Sequence, residues 1–217
     1  MATHAIETQD LRKEYGATVA VDGIDFAVPE GTVYGFLGPN GAGKTTTMQM
    51  LTGLTTPTGG TGAVGGAPIT DRDALRPHIG YLPEEPPLFE EVSAREQLSY
   101  VAGLRDLGGP DVEERIEALL DRLDLADDAD TRISDYSKGM RHKTAFVQAT
   151  FHDPDVVFLD EPTSGLDPRA ARTLRTLITE LADDGTTVFL STHILPVAEE
   201  LADRVGVLYD GALVAEA

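Results

Sequence analysis

The sequence predicts an α/β protein with a mostly parallel sheet, an N-terminal antiparallel β portion and an inserted helical subdomain. In the last third of the chain, short apolar runs alternate with amphipathic helical patterns, which is typical of a parallel sheet covered by helices. One earlier apolar run, TVYGFL, leads directly into a glycine-rich loop and then a helical pattern. The 217 residues, 41% of them hydrophobic, suffice for one large domain or two small ones.

The N-terminal third is predicted to consist mainly of strands and turns. Short mixed runs, separated at Gly16 and at Asp22-Gly23, are expected to be strands: 5–15, 17–21 and 24–28. Residues 32–37 form a continuous apolar run, and the helical pattern after the glycine-rich loop extends to about Leu51. A glycine-rich stretch at 59–66 encloses one further short strand.

The middle of the chain is predicted to be helical. Ser93 and Glu96 have the spacing of a capping box, which opens a helix that runs to about Leu107. Gly108-Gly109-Pro110 ends this helix, and a second begins near Asp111 and Glu114 with apolar residues at helical spacing: Ile116, Leu119, Leu120 and Leu123. Ser137 is expected to cap a third helix that runs toward His152.

The last third is predicted to alternate between strands and helices. Apolar runs indicate strands at 156–159 and 187–190, and amphipathic patterns indicate helices at 168–182 and 194–203. A hairpin with Asp210-Gly211 at its tip follows. Since parallel strands need a crossover connection, usually a helix, this order predicts that the strands lie parallel.

The charge of the chain is strongly negative. Asp and Glu number 37 against 17 for Lys and Arg, which gives a formal net charge of −20. Such a surface repels phosphate backbones, so we expect no nucleic acid partner. Acidic excess with only four lysines also resembles proteins of salt-loving organisms. The alternative interpretation is a highly charged surface that serves solubility.

The composition also bears on compartment and chemistry. Cysteine is absent, which excludes disulfides, thiolate zinc sites and a cysteine nucleophile. The first ten residues, MATHAIETQD, lack the basic start and apolar core of a signal peptide, and no run approaches 18 consecutive apolar residues. We therefore expect a cytoplasmic location.

A phosphate-binding pattern follows the first apolar strand. The segment GPNGAGKT fits G-x-x-x-x-G-K-[ST], in which glycines let backbone N–H groups converge on phosphates at a helix N-terminus. Lys44 supplies a point charge for the β- and γ-phosphates, and Thr45 offers a hydroxyl to Mg²⁺. The residues expected to bind nucleotide here are Gly38, Pro39, Asn40, Gly41, Ala42, Gly43, Lys44, Thr45 and Thr46.

Two acids follow the apolar run VVFL. Asp160 and Glu161 are expected at the carboxyl edge of the sheet, where ligands bind in α/β folds. Asp160 suits a Mg²⁺ partner, directly or through water. Glu161 suits a general base that deprotonates an attacking water. Together with the phosphate-binding pattern, these acids indicate a nucleoside triphosphatase of the P-loop fold.

Further motifs narrow this class, because the chain resembles the ATP-binding cassette (ABC) family over essentially its whole length. The segment YSKGM stands where the family has its signature motif, and SGLD follows the acids as the family's D-loop does. His193 in STH is similar to the switch histidine, and Tyr15 is similar to the aromatic residue that stacks on adenine. The resemblance implies ATP and Mg²⁺ as ligands and His193 as a second catalytic residue beside Glu161.

The resemblance also implies partners. In the family, the signature contacts the γ-phosphate bound to a second cassette, so a dimer with two sandwiched ATP molecules is expected. The residues expected to act on the partner's nucleotide are Ser137, Lys138, Gly139 and Met140, with Asp167 of the D-loop beside them. The second cassette is another copy of this chain or a homologous one. A separate integral membrane permease is the other implied partner, which places the chain on the cytoplasmic face of the membrane.

The sequence departs from the family pattern at several positions. Tyr136, Lys138 and Met140 replace the Leu, Gly and Gln of the consensus signature. Glu84 stands in place of the Q-loop glutamine, and a carboxylate can still bind Mg²⁺ or a water but cannot donate a hydrogen bond. The altered signature and the glutamate at position 84 are both similar to those of the ATPase subunits of type-two export systems. The chain ends soon after the final hairpin, as a compact member or a truncated one would.

We expect residues 1–84 and 153–217 to form a nucleotide-binding core and residues 85–152 a helical subdomain, all within one nucleotide-binding domain. The predicted function is ATP hydrolysis that powers export by a separate permease, with coupling through residues 84–92. The alternatives are a soluble ABC ATPase acting in DNA repair or on the ribosome, and a module that binds ATP without hydrolysing it. His4, His78, His142 and His152 lack a motif and are expected at the surface.

The net charge predicts salt dependence. Because salt screens repulsion among the carboxylates, with a Debye length of about 3 Å at 1 M, the protein should be more stable and more active in molar KCl than in dilute buffer. Thermal unfolding followed by circular dichroism across a KCl series measures this. A melting temperature that stays flat or falls as KCl rises would contradict the prediction, and an equal series in sucrose controls for general solute effects.

Overall fold

The strands of the molecule form two sheets, as seen in a computed structural model that describes residues 4–217. The elements in chain order are β1 (His4–Tyr15), β2 (Thr18–Pro29), β3 (Val33–Leu37), α1 (Lys44–Leu51), β4 (Gly59–Val64), β5 (Ala67–Pro68), α2 (Arg72–Leu75), β6 (Ile79–Leu82), α3 (Ala94–Leu104), α4 (Pro110–Arg122), α5 (Lys138–Thr150), β7 (Val156–Asp160), α6 (Pro168–Asp183), β8 (Thr187–Thr192), α7 (Leu195–Leu201), β9 (Arg204–Tyr209) and β10 (Ala212–Glu216).

The larger sheet is mostly parallel, as the sequence predicts. Its order is β10-β9-β3-β8-β7-β6, and every pair is parallel except the antiparallel edge pair β9 and β10. The smaller sheet has the order β2-β1-β4-β5 and is antiparallel throughout. The fold class predicted from the sequence is therefore confirmed.

Helix α1 and the aromatic side chains fill the space between the two sheets. Phe189 of β8 lies at the centre of this core, with ring centroids 5.2–5.8 Å from those of Phe26, Tyr34, Phe36 and Phe158. Strand residues alternate between faces, so the neighbours of these aromatics point to the opposite side of the sheet. There Val157, Leu159, Val188 and Leu190 pack against the helical layer.

The helices begin where the sequence predicts them. Ser93 and Glu96 form the reciprocal hydrogen bonds of a capping box at the start of α3. Ser137 accepts a hydrogen bond from the N–H of Met140 at the start of α5, over 3.2 Å. Helix α4 begins at Pro110 without a side-chain cap, one residue before the predicted Asp111.

Two predictions for the N-terminal half need correction. Asp22-Gly23 does not end a strand, because β2 continues through it as one irregular strand paired with β1. The register between β1 and β2 shifts near Leu11, and Asp10 and Gly23 both have positive φ. Asp22-Gly23 is therefore accommodated within the paired strands as a β-bulge. Strand β6 was not predicted, because its four residues, IGYL, are too few to show a pattern.

The helices α3, α4 and α5 follow one another between β6 and β7, and none of them belongs to either sheet. The proposed division into a core and a helical subdomain at 85–152 stays a prediction. Within residues 4–217, no helix has the length and apolar character needed to cross a membrane.

Candidate functional site

The glycine-rich loop connects the end of β3 to the start of α1. Gly41 and Gly43 have φ angles of 82° and 107°, in the left-handed region that glycine adopts without strain. A Cβ atom at Gly43 would collide with the carbonyl of Ala20, and one at Gly38 would collide with the carbonyl of Leu208. The loop therefore lies tightly between β2 and β9, and its glycines are required by space as well as by conformation.

The loop leaves donors unused, which suits an anionic ligand. The main-chain N–H groups of Gly41, Gly43 and Thr45 donate to no acceptor within residues 4–217. Helix α1 has eight residues, and no side chain caps its N-terminus. Unused N–H groups and the positive end of the helix dipole together favour a phosphate at this position. Pro39 and Asn40 are exposed at the rim, Ala42 is buried beneath the loop, and Thr46 is half-buried.

Asp160 lies at the end of β7, where it contacts Thr45. The hydroxyl of Thr45 donates to Oδ2 of Asp160 over 2.8 Å, and the hydroxyl of Ser191 donates to Oδ1. Asp160 is 2% exposed, and burial of Tyr81 together with the nearby charge of Asp160 raises the pKa of Tyr81. A hydroxyl and a carboxylate are hard oxygen ligands of the kind that Mg²⁺ prefers, so this pair fits the expected metal.

Glu161 joins the loop to the end of β8. Its Oε1 lies 3.4 Å from Nζ of Lys44 and 2.9 Å from Nδ1 of His193. Lys44 also donates to the carbonyls of Gly38 and Pro39, over 2.7 and 3.3 Å. Since Lys44 and Glu161 are nearly inaccessible to solvent, each is the main counter-charge of the other. The side chain of His193 is 43% exposed, so the ring faces the open side of the site.

The backbone at Glu161 is held in an uncommon conformation. Its φ angle is +48°, which a non-glycine residue rarely adopts. Its N–H lies 3.2 Å from both the carbonyl and the hydroxyl oxygen of Ser191. These contacts turn the chain immediately after β7, so Asp160 and Glu161 both face the loop although consecutive strand residues normally point to opposite sides.

Ser191 is a site residue that sequence reasoning missed. It contacts Asp160 through its side chain and Glu161 through its carbonyl oxygen, and it is fully buried. The parallel register pairs Asp160 with Ser191, which brings the two residues to the same level of the sheet. The one signal in the sequence was that the apolar strand FLST ends in two polar residues. Which residue lies opposite Ser191 depends on the strand register, and that register exists only in the folded sheet.

The other predicted site residues lie apart from this cluster. Tyr15 ends β1, is 49% exposed and lies under Nζ of Lys13, 4.9 Å from the ring centroid. Glu84 is exposed on the loop after β6, and its carboxylate forms no hydrogen bond to Thr45 or Asp160. The role predicted for each residue therefore stays a prediction.

The signature segment forms a second pocket of about 250 Å³ with the D-loop. Ser137, Gly139 and Met140 line it beside Asp167, and no residue of loop 38–45 does so. Asp167 accepts hydrogen bonds from the N–H groups at the start of α6, chiefly that of Ala170, and these bonds lower the pKa of its carboxyl. The side chain of Lys138 extends toward Gly165. The phosphate loop and the signature thus lie at separate places on one chain.

The expectation that the motif-free histidines lie at the surface is wrong for His142, which is 3% exposed on α5. His152, just after that helix, is half-buried. Burial lowers the pKa of the His142 ring, and burial together with the nearby Arg105 lowers the pKa of His152 to about 4. The amphipathic pattern did not reveal this, since histidine counts as polar in such a pattern.

Loop, helix, paired acids and parallel sheet define the class of protein as a P-loop nucleoside triphosphatase fold. Residues 21–164 match the family model of ABC transporters, and the chain belongs to that family. A solved "ATP binding subunit of ABC transporter" superposes with a TM-score of 0.91 at 33% identity, over 99% of this chain and 90% of that one.

Curated relatives extend the comparison. The daunorubicin/doxorubicin resistance ATP-binding protein DrrA of Streptomyces peucetius is 42% identical over 99% of this chain and 65% of its own length. The bacitracin transport ATP-binding protein BcrA of Enterococcus faecalis is 38% identical over 98% of this chain and 69% of its own length. The chain therefore spans about two thirds of the length of the curated relatives that it matches.

Proposed function

We propose that this chain binds ATP with Mg²⁺ and hydrolyses it to power a separate membrane permease, in an exporter. The observation that carries the proposal is the position of Glu161, which contacts both Lys44 and His193 one residue beyond the carboxylate that holds Thr45. Phosphoryl transfer needs a base, a cation that binds the phosphates and oxygen ligands for the metal ion. Glu161, Lys44 and the pair of Thr45 and Asp160 are of these types. The curated relatives carry transport and resistance names, which supports export.

The phosphates of ATP would lie on the loop from Gly38 to Thr46. Lys44 would exchange its contacts with the carbonyls of Gly38 and Pro39 for contacts with the β- and γ-phosphates. Before nucleotide binds, the ion pair between Lys44 and Glu161 compensates the cost of burying the two charges. Tyr15 would stack on the base, which its half-exposed ring permits.

Mg²⁺ would be held by Thr45 and Asp160, with Glu84 contributing from the loop after β6. When bound, the ion neutralises charge that develops on the phosphate oxygens. Thr45 and Asp160 already lie 2.8 Å apart, and Ser191 fixes the second oxygen of the carboxylate. This hydrogen bond orients Asp160 as outer groups orient metal ligands in other proteins.

Glu161 would act as the general base and His193 would assist it. Glu161 accepts the proton of the attacking water, because its carboxylate faces the loop on which the γ-phosphate would lie. Nδ1 of His193 lies 2.9 Å from Oε1 of Glu161, so its ring would orient Glu161, and its exposed side faces the opening of the site. The positive φ of Glu161 is strain of the kind found at functional sites.

The signature pocket would bind the γ-phosphate held by a second cassette. Its Ser137 hydroxyl and the N-terminus of the 13-residue helix α5 are donors of the kind that a phosphate needs, and Lys143 lines the same pocket. Lys138, Gly139, Met140 and Asp167 surround them. Because this pocket and the phosphate loop lie apart on one chain, a dimer arranged head to tail gives each ATP both surfaces.

The permease would dock on a groove of about 610 Å³ between α2, β6 and α3. Leu54 and Leu104 are 51% and 57% exposed at this groove. Arg72, Arg76 and Arg105 also line it beside a single acid, Asp73, and within residues 4–217 none of these arginines forms a salt bridge with a carboxylate. Cationic and apolar groups in a chain of charge −20 favour a partner segment that is both acidic and apolar.

These partners would place the chain on the cytoplasmic face of the membrane. The departures Glu84, Lys138 and Met140 support the type-two exporter subclass, and the acidic surface supports a salt-loving source. The soluble alternative in DNA repair or on the ribosome is not favoured, because the matched relatives bear transport or resistance names and the net charge repels nucleic acid.

Substitution of Lys44 and of Tyr15 tests the nucleotide site. Lys44→Ala should abolish tight ATP binding, because it removes the charge that neutralises the phosphates. Tyr15→Ala should weaken binding less, since stacking of a base on an aromatic ring is worth about 1–3 kcal/mol. Titration of each variant with a fluorescent ATP analogue gives the two affinities. A larger loss for Tyr15→Ala than for Lys44→Ala would mean that the phosphates do not bind at the loop.

Substitution of Glu161 tests hydrolysis. Glu161→Gln keeps the size of the side chain but cannot accept a proton at neutral pH, so turnover should fall by about 10²–10⁴. ATP should still bind, and the variant with Mg·ATP should elute as a dimer in gel filtration while the wild type returns to monomer. Glu200→Gln, an exposed acid on α7, is the control. Hydrolysis by Glu161→Gln within about threefold of wild type would exclude Glu161 as the base.

Charge reversal in the groove tests the permease partner. Arg72→Glu should reduce co-purification of a membrane-spanning protein with the tagged chain, because it opposes an acidic partner segment. Arg172→Glu is the matched control, since Arg172 is also exposed and unpaired within residues 4–217 but lies on α6. Mass spectrometry identifies the captured protein. Equal recovery with both variants, or recovery of no membrane protein by the wild type, would contradict the proposed docking.

A further inference from the structure

The ammonium group of Lys13 lies over the ring of Tyr15, two residues further along β1. Nζ of Lys13 is 4.9 Å from the centroid of this ring, within the range of a cation–π contact. Tyr15 is 49% exposed, and within residues 4–217 its ring stacks on no other aromatic ring. Lys13 therefore covers one face of the ring and leaves much of the remaining surface open.

The same ammonium group also binds the loop between α1 and β4. Nζ of Lys13 donates to the carbonyl oxygen of Thr56 over 2.6 Å. Thr58 ties this loop to β1, because its N–H donates to the carbonyl of Arg12 over 2.9 Å and its hydroxyl accepts from the N–H of Glu14 over 3.0 Å. The loop is thus bonded to β1 on both sides of Lys13, which keeps the acceptor of the ammonium group in place.

This loop is continuous with the helix that carries the phosphate loop. The N–H groups of Leu54 and Thr55 both donate to the carbonyl of Gln49 on α1, over 2.8 and 3.0 Å. Helix α1 begins at Lys44, directly after the glycines. Contacts therefore run from the ring of Tyr15 through Lys13 and the loop to α1. Through these contacts, Lys13 connects the residue expected to bind the base with the helix expected to bind the phosphates.

The charge of Lys13 is not used to neutralise an acid. The chain has 37 acidic residues and only four lysines, yet within the part that the structure describes Lys13 forms no salt bridge. Its neighbours Arg12 and Glu14 pair with each other. The ring of Tyr15 and one carbonyl are the contacts made by this cation, so its position is explained by the ring and the loop.

We propose that Lys13 is a positioning residue, which holds the ring of Tyr15 in the orientation that receives a nucleobase. This inference rests on the proposed function, in which Tyr15 stacks on the base. The base would lie on the face of the ring opposite the ammonium group, since the other face is covered. A ring that is already oriented loses less conformational freedom when the base binds. Lys13 therefore raises the affinity only for ligands that carry a base.

Ligands with and without a base separate this role from a direct phosphate contact. Lys13→Met keeps an unbranched side chain and removes the charge, whereas Lys13→Arg keeps a cation that can lie on an aromatic face. Arg12→Met is the matched control, because it removes a positive charge from the neighbouring position, where Arg12 pairs with Glu14 and Asp22. Calorimetric titration with ADP and with pyrophosphate gives the affinity for each kind of ligand.

The affinity for ADP alone should respond. In Lys13→Met, the Kd for ADP should rise about three- to tenfold while the Kd for pyrophosphate stays within about twofold of wild type. Lys13→Arg should recover most of the loss, and Arg12→Met should bind both ligands as the wild type does. When Tyr15→Ala is already present, Lys13→Met should not weaken ADP binding further.

Three results of these titrations would overturn the proposal. Equal losses for ADP and pyrophosphate would mean that Lys13 binds a phosphate. An unchanged Kd for ADP in Lys13→Met would mean that the ring needs no support. A full further loss in the Tyr15→Ala background would mean that Lys13 acts independently of the ring.

Nuclear magnetic resonance provides a readout that needs no nucleotide. The ring signals of Tyr15, assigned with Tyr15→Phe, should move toward those of a free tyrosine in Lys13→Met and stay in place in Arg12→Met, because only Lys13 lies on the ring. Unchanged ring signals in Lys13→Met would contradict the proposal. If the wild type bound neither ADP nor pyrophosphate, the proposed function would fail, whereas the ring signals would still decide whether Lys13 holds Tyr15.

Discussion

The candidate site depends on the parallel register of three strands at the centre of the larger sheet. Leu37 of β3 pairs with Thr192 of β8, and Asp160 of β7 pairs with Ser191 of the same strand. Parallel strands end at one edge, so the phosphate loop, the two acids and His193 all begin there. No single strand could assemble these groups, because each strand contributes only the few residues at or just beyond its own carboxyl end.

Contacts between the buried charged groups explain how the site tolerates them. Lys44, Asp160 and Glu161 are all nearly excluded from solvent, and isolated charges in that position would be very costly. Lys44 and Glu161 neutralise each other, and Asp160 receives two hydroxyl hydrogen bonds. Burial of an ion pair seldom adds stability over an apolar pair of similar volume. The charges therefore indicate a functional requirement, and the rest of the core, centred on Phe189, must supply the stability.

Local signals in the sequence predicted the elements and motifs that depend on local physics. The capping box at Ser93, the cap at Ser137 and the glycine-rich loop each act over a few residues, so their patterns can be read directly. Prediction failed where distant residues decide the outcome. Asp22-Gly23 is a turn signal, but pairing with β1 holds it within a continuous strand. His142 looks polar in sequence, yet it is buried in the folded chain.

The sequence by itself determined the class of fold, the phosphate loop and the acids Asp160 and Glu161, since these follow from patterns within single segments. Only the tertiary structure decided that Lys44 and His193 both contact Glu161, that Ser191 supports both acids, and that the signature and the phosphate loop lie apart. The reason is that such contacts join residues from segments that are distant in the chain. Their distances depend on sheet order and register, which the packing of the whole chain sets.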